Sequence, residues 1–226
     1  MKKKPFYTEL AYALGLAGLA LGTAFMEAAD FGVSMVVAPA YLIYLKLSRV
    51  LPFFTFGMAE YTLQAVLLVV LMAVLRRVRL SYLFSFVTAV IYGFLLDGAM
   101  AAVALIPHGN PVPRFVLYGS GLLLCAAGVS LLFHTYIAPE VYELFVKEAS
   151  AKYGVDIHAF KTGYDCASCL VAILLSFAFF GLWHFEGVKL GTIFCALVNG
   201  WVIGRCTRFF EKHWEFQDAL KLPIRC

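Results

Sequence analysis

The chain has 226 residues, 62% of them hydrophobic and 14% charged, with a formal net charge of +4 and a mean hydropathy of +0.85. Soluble domains average roughly 45–50% apolar and about 25% charged, so the composition excludes an ordinary water-soluble enzyme, a disordered regulator and a disulfide scaffold. The expected fold class is all-α: a polytopic membrane helical bundle, in which spans of ~20 residues allow about six crossings and no sizeable soluble domain.

Lys2, Lys3 and Lys4 precede the first apolar run, Leu10–Met26. A basic start before an apolar stretch also describes a secretory leader, but a counterpart of this helix later in the chain favours a retained span. Glu27 and Asp30 follow, spaced i,i+3 at the end of that helix. They form either a solvated cap or a cation or amine site at a cavity mouth. Phe31–Leu45 is uncharged but short, and contains Pro39. Phe53–Leu75 is interrupted only by Glu60, and the next run continues from Leu80 past Asp97 to Ile106, with Gly93 and Asp97 on one helix face. Phe115–Phe133 ends at His134. Pro139–Tyr153 then starts with a proline suited to a first helical turn and stops at Gly154. Its Glu143–Lys147 and Glu148–Lys152 spacings suit i,i+4 ion pairs, so it reads as an amphipathic, interfacial helix. Cys166–Trp183 and Leu190–Gly204 complete the runs, with Asp165 just before the first and Asn199 inside the second. The tail from 209 to 226, with Phe209, Phe210, Trp214 and Phe216, reads as an interfacial anchor. No run keeps a period-2 alternation, which argues against a barrel.

Phe31–Leu45 decides the topology. If it spans, the Arg76, Arg77 and Arg79 loop falls outside. If it does not, six spans place both termini inside, together with that loop, Lys147, Lys152 and the Arg205–Lys212 stretch. Only Arg114 and Lys189 then remain in outer loops. The positive-inside rule favours this second arrangement, with residues 31–45 re-entrant or interfacial. The expected location is the bacterial cytoplasmic membrane.

A weak internal repeat supports the count. At an offset of about 106 residues, Gly22 matches Gly128, Phe54 matches Phe160, Gly57 matches Gly163 and Leu68 matches Leu174. One residue further, Ala89 matches Ala196 and Gly93 matches Gly200. Each half, about 6–107 and 113–212, reads long helix, short segment, helix, helix. Three spans per half make the repeat inverted within a single integral membrane domain, an arrangement found in secondary transporters with sites near the repeat interface. The Gly18/Gly22 and Gly200/Gly204 pairs are small-xxx-small patterns that suit packing within the bundle or a homodimer.

Ionisable residues within spans are costly and point to function. The candidate substrate-binding residues are therefore Glu27, Asp30, Glu60, Asp97, Glu140, Asp165 and Asn199. Under the repeat, Glu60 and Asp165 fall at nearly matching positions, so each half contributes a carboxylate to one interface. Cys166 and Cys169 form a Cys-x-x-Cys pair, but with no βαβ context and no second pair for zinc. The six cysteines, Cys226 included, suit packing rather than disulfides. No catalytic motif, metal site or cofactor motif is present, and no basic stripe suits nucleic acid.

The chain also resembles the YczE/YyaS/YitT group of bacterial integral membrane proteins over nearly its whole length. The resemblance rests on Ala29–Ser34, Ala38–Tyr41, Phe54–Phe56 and Tyr92–Asp97 in the first half. In the second it rests on Gly128–Leu131, the Pro139-Glu140 step and Gly187–Thr192. It implies a multi-span plasma-membrane protein and gives weight to Asp30, Asp97 and Glu140. The expectation is a transporter or binder of a small molecule or lipid-like substrate between the halves. The alternative is a non-catalytic scaffold or accessory subunit with a partner membrane protein, such as a substrate-binding subunit served by a separate ATPase module.

Overall fold

A computed structural model describes residues 4–105, 111–182 and 187–219. Lys2, Lys3, Ile106, Trp183, Cys226 and the last part of the predicted anchor lie outside them. Among the described residues there are eight helices: α1 (Thr8–Ala29), α2 (Ala38–Leu47), α3 (Phe56–Leu75), α4 (Leu80–Val103), α5 (Pro111–Phe133), α6 (Val141–Tyr153), α7 (Ile157–Phe180) and α8 (Leu190–His213). All but α2 and α6 are long and apolar enough to cross a membrane, which makes six candidate spans and a multi-pass membrane protein. The outer surface agrees with this. Val66, Val69, Leu123, Leu170, Leu174 and Leu197 are exposed, whereas Glu60, Glu140, Lys161 and Asp165 are buried. A bundle that is apolar outside and polar inside is solvated by lipid.

The first and last described elements meet at one face of the bundle, termed here the terminal face. There β1 (Lys4–Tyr7) and β2 (Trp214–Gln217) pair in parallel, from Lys4 opposite Trp214 to Tyr7 opposite Gln217. Of the aromatic residues expected to lie along the membrane surface, Trp214 and Phe216 thus become part of a strand, while Phe209 and Phe210 belong to the last turns of α8. Phe6 packs on Trp214 and Phe216 at centroid distances of 6.0 and 5.7 Å.

The halves are arranged as an inverted repeat. α1 packs on α4 as α5 packs on α8, and α3 on α4 as α7 on α8. α2 and α6 cross over: α2 packs on α7, and α6 on α3. α1 and α5 form the central antiparallel pair. A Cβ on Gly15 would lie 3.0 Å from the Gly128 carbonyl, and one on Gly22 would lie 2.7 Å from the Gly121 carbonyl. Moving by 106 residues turns Gly15 into Gly121 and Gly22 into Gly128, so these two contacts exchange. The glycine pattern is therefore an internal packing seam. The repeat is inexact elsewhere: Gly57 meets the Gly93 backbone, but Gly163 has open space and Gly200 packs on His158 and Thr162.

The two short segments are both re-entrant. After α1 the chain leaves the face opposite the termini and runs into the core, where Ser34 through Ala40 are buried. α2 then returns to the same face, where the Lys46 ammonium donates to the Phe179 carbonyl at 3.1 Å. Phe31–Leu45 thus does not span. Buried irregular backbone needs internal partners, and the second half provides them. Thr192 Oγ1 donates to the Val33 carbonyl at 2.8 Å, and Gly191 N to the Phe31 carbonyl at 3.0 Å.

The second segment corrects the interfacial reading of Pro139–Tyr153. Its first turn is deep inside: Val141, Tyr142, Glu143, Leu144 and Val146 are buried. Ser85 Oγ donates to the Pro139 carbonyl and Thr88 Oγ1 to the Ala138 carbonyl, so two hydroxyls of α4 satisfy the entering chain. The expected Glu143–Lys147 pair is not the one formed, because Glu143 faces α7 instead. α7 also starts well before the predicted Cys166, at Ile157, where the Asp156 carboxylate accepts from His158 N and Ala159 N at 3.0 and 2.9 Å. α8 likewise continues past Gly204 to His213.

Candidate functional site

The start of α6 is held by two residues one turn apart on α3. The Gln64 amide reads the α6 N-terminus from both sides. Its Nε2 donates to Glu140 Oε2 at 3.1 Å, and its Oε1 accepts from Val141 N at 3.0 Å. Glu60 Oε2 accepts from the Tyr142 hydroxyl at 3.0 Å. All of these groups are buried.

A second chain of contacts leads across α7 to α8. Lys161 lies 3.3 Å from Glu143 Oε1 on α6 and 3.1 Å from Asp165 Oδ1 one turn along α7. Asn199 Nδ2 on α8 donates to Asp165 Oδ2 at 3.3 Å. Lys161 is only 1% exposed and is the one buried basic side chain among the described residues. It touches two of the four buried carboxyl groups in the cluster, Glu143 and Asp165; Glu60 and Glu140 are the other two. Burial penalises each uncompensated negative charge, so the cluster requires further positive charge, as protons or as a bound cation. Glu60 Oε1, Glu140 Oε1 and Asn199 Oδ1 are buried acceptors with no hydrogen-bond donor.

A cavity of about 30 Å³ sits at this cluster, lined by Thr23, Ser34, Tyr92, Glu140, Lys161 and Asn199 among others. It holds roughly one or two water-sized groups. Both re-entrant segments reach it: Val37, preceding α2, and Glu140, preceding α6, are lining residues. Helix N-termini carry partial positive charge, so two half-helices and one ammonium supply its positive side. The carboxyls supply the negative side.

The predicted residues separate into two groups. Glu60, Glu140, Asp165 and Asn199 belong to this centre, and the expectation that both halves contribute a carboxylate corresponds to Glu60 and Asp165, bridged through α6 and Lys161. Glu27, Asp30 and Asp97 are elsewhere, near the face opposite the termini. Asp97 Oδ1 accepts from Gly57 N at 2.9 Å and so caps the start of α3 from the neighbouring helix. Glu27 Oε1 accepts from the Tyr41 hydroxyl at 3.2 Å. Asp30 binds the Lys189 ammonium and, at 2.7 Å, Arg114 of α5. Arg114 Nε also donates to the Ala29 carbonyl at 2.8 Å, closing the end of α1. These contacts tie the end of α1 to the second half at the face opposite the termini.

Lys161, Glu143, Gln64 and Tyr142 are absent from the sequence candidates. The Lys161–Asp165 spacing of i,i+4 is the signal that could have found the first. Cys166 and Cys169 carry free thiols, as do Cys125, Cys195 and Cys206.

Asp30 gives a test of the tie. Its hydrogen bond to Lys189, reinforced by the Lys189 and Arg114 charges, outweighs its slight burial and holds its carboxyl below the usual carboxylate range. A group lowered in the folded state adds stability above its unfolded value of about 3.9. That contribution is lost as pH falls through the still lower folded value. Asp30→Asn should therefore lower the melting temperature at pH ~7 and low salt, and the difference should shrink as the pH falls below about 3.9. Melting curves of the two proteins across that range check it. A difference that grows on acidification would contradict the tie.

A family model matches residues 6–208, nearly all of the described helices, and carries the description family of unknown function, DUF6198. No curated protein and no solved structure matches the chain. With both re-entrant segments and the whole carboxyl centre inside the matched region, the chain belongs to the DUF6198 family.

Proposed function

We propose that the protein is a transporter that carries a small cation or protons between the two halves, with the carboxyl centre as its binding site. One observation carries the reading: four buried carboxyls, only two of them in contact with the one buried ammonium, lie where both re-entrant helices and both halves meet. Intramembrane ionisable groups of this kind suit ion pathways and proton relays, and broken helices at a repeat interface suit alternating access. Rocking of the halves would open the cavity alternately, with the Asp30 tie closing one side and the Ser85, Thr88 and Gln64 contacts of α6 closing the other. On the positive-inside argument we place both termini in the cytoplasm of a bacterial cell, in keeping with the YczE/YyaS/YitT resemblance.

Glu140→Gln tests this directly. It removes one carboxyl from the cavity wall and keeps an acceptor for Gln64. In proteoliposomes containing a pH-sensitive dye, a membrane potential should drive proton flux through the wild type, or a gradient of sodium or potassium should drive uptake. Glu140→Gln should reduce that flux to the level of empty vesicles while keeping a wild-type gel-filtration profile. Wild-type flux in the variant would remove Glu140 from the site. Absence of any flux, with a second membrane protein copurifying, would turn the reading to an accessory subunit.

A further inference from the structure

A second, larger cavity adjoins the carboxyl centre. It has a volume of about 210 Å³ and lies between α3 and α7, lined by Val36, Pro39, Leu63, Tyr142, Tyr164 and Ser168. Val171 also borders it and is exposed, on the same side of α7 as the lipid-facing Leu170 and Leu174. The crevice thus opens sideways, midway along both helices. Its walls are almost wholly apolar. Only Val36 and Tyr142 line both cavities, so these two side chains form the partition. The Tyr142 hydroxyl is the donor to Glu60. Rotation of that one ring would both join the cavities and release a buried carboxylate.

The two chambers differ in what they accept. The inner one is water-sized and has more carboxyls than cations. Glu140 Oε1 and Asn199 Oδ1, both at least nine-tenths buried, border it without donors. A primary ammonium is compact and offers three N–H donors. A quaternary ammonium is too large for that space and has none. The outer chamber accepts an alkyl chain.

We infer that the transported molecule is an amphiphilic primary amine, with its ammonium at Glu140 and Asn199 and its alkyl tail in the crevice between α3 and α7. This rests on the transporter reading and names its substrate class. The amine enters from the bilayer past Tyr142, so its charged end reaches the centre without crossing either face.

The test uses the full chain in nanodiscs of neutral phospholipid near pH 7. Butyl-, hexyl- and octylammonium are titrated against the melting temperature, with octyltrimethylammonium and octanol as equal-length controls. Wild-type affinity, referred to the aqueous concentration, should rise about three- to fourfold per added methylene. The two controls should bind at least tenfold more weakly than octylammonium. Ala167→Trp, at an exposed position beside the crevice, should abolish the chain-length dependence and leave butylammonium binding within twofold. An unchanged dependence in Ala167→Trp, or control binding equal to that of octylammonium, overturns the proposal. If Ala167→Trp does not fold, the wild-type comparison with the two controls decides alone. Cation or proton flux that depends on Glu140 but is accompanied by no amine binding would reject this substrate class and leave the transporter reading standing.

Discussion

Lys161→Met should be far less stable than the wild type, with a loss of about 3–5 kcal/mol. The substitution is close in volume and apolar, so packing changes little. What is lost is the one positive charge between Glu143 and Asp165, at 3.3 and 3.1 Å. Both carboxylates are buried, so bulk water cannot take its place. Removing one partner of a buried pair is costly because the other remains uncompensated. That cause predicts a rescue. Lys161→Met combined with Asp165→Asn and Glu143→Gln removes the stranded charges and should regain most of the melting temperature. Each protein is measured by fluorescence-monitored melting in one detergent. If Lys161→Met melts with the wild type, or the triple variant is worse than the single one, the ammonium is not what neutralises this centre.

Gly22→Leu should prevent assembly altogether. A Cβ there would lie 2.6 Å from Cys125 Sγ and 2.7 Å from the Gly121 carbonyl. The second of these is backbone and cannot swing away. Gly121 meets the Gly22 carbonyl in return, again at 2.7 Å. Lipid gives no hydrophobic drive between helices, so association depends on close packing of this kind. Leucine at position 22 would force α1 off α5 along the whole seam. Gly98→Leu and Gly119→Leu are the matched controls, because nothing lies within 4 Å of a Cβ at either position. Size-exclusion profiles of tagged proteins should show aggregate for Gly22→Leu and wild-type peaks for the controls. A monodisperse Gly22→Leu protein with an unchanged melting temperature would show that the seam tolerates separation.

The six spans were legible because lipid-facing surface must be apolar whatever the helices do inside. That residues 31–45 do not cross was legible for a related reason: the segment is short, and crossing would misplace the arginines after α3. That it dips into the core rather than lying along the surface was not, because its backbone partners come from the second half. The second re-entrant piece was hidden by its own charges. Glu143 and Lys147 stand at a spacing that suits a solvated helix face, and nothing local shows that Glu143 instead reaches Lys161 on α7. Other charges masked the start of α7. A hydropathy run stops at Lys161 and Asp165, although the pair points inward and the helix passes straight through them. Asp97 shows a different limit. Its share of a helix face with Gly93 was readable, but its partner, the Gly57 amide, is brought by another helix, and the carboxylate serves as a cap. Sequence locates a buried charge well. Whether it binds a substrate or the protein's own backbone depends on residues distant in the chain.

The antiparallel pairing of α1 with α5 also orders the making of the protein. The ribosome releases α1 first, yet the helix that fills its glycine seam comes only after α4. The leading helix must therefore wait in the bilayer, or beside the insertion machinery, with bare backbone along one side. The first half alone has no complete interior to close around, and Asp30 lacks both of its cations until Arg114 and Lys189 arrive. Pairing of β1 with β2 comes last, because β2 follows the final helix. Closure of the α1–α5 seam thus has to follow the synthesis of α5, and the β1–β2 pair is the last contact the growing chain can make.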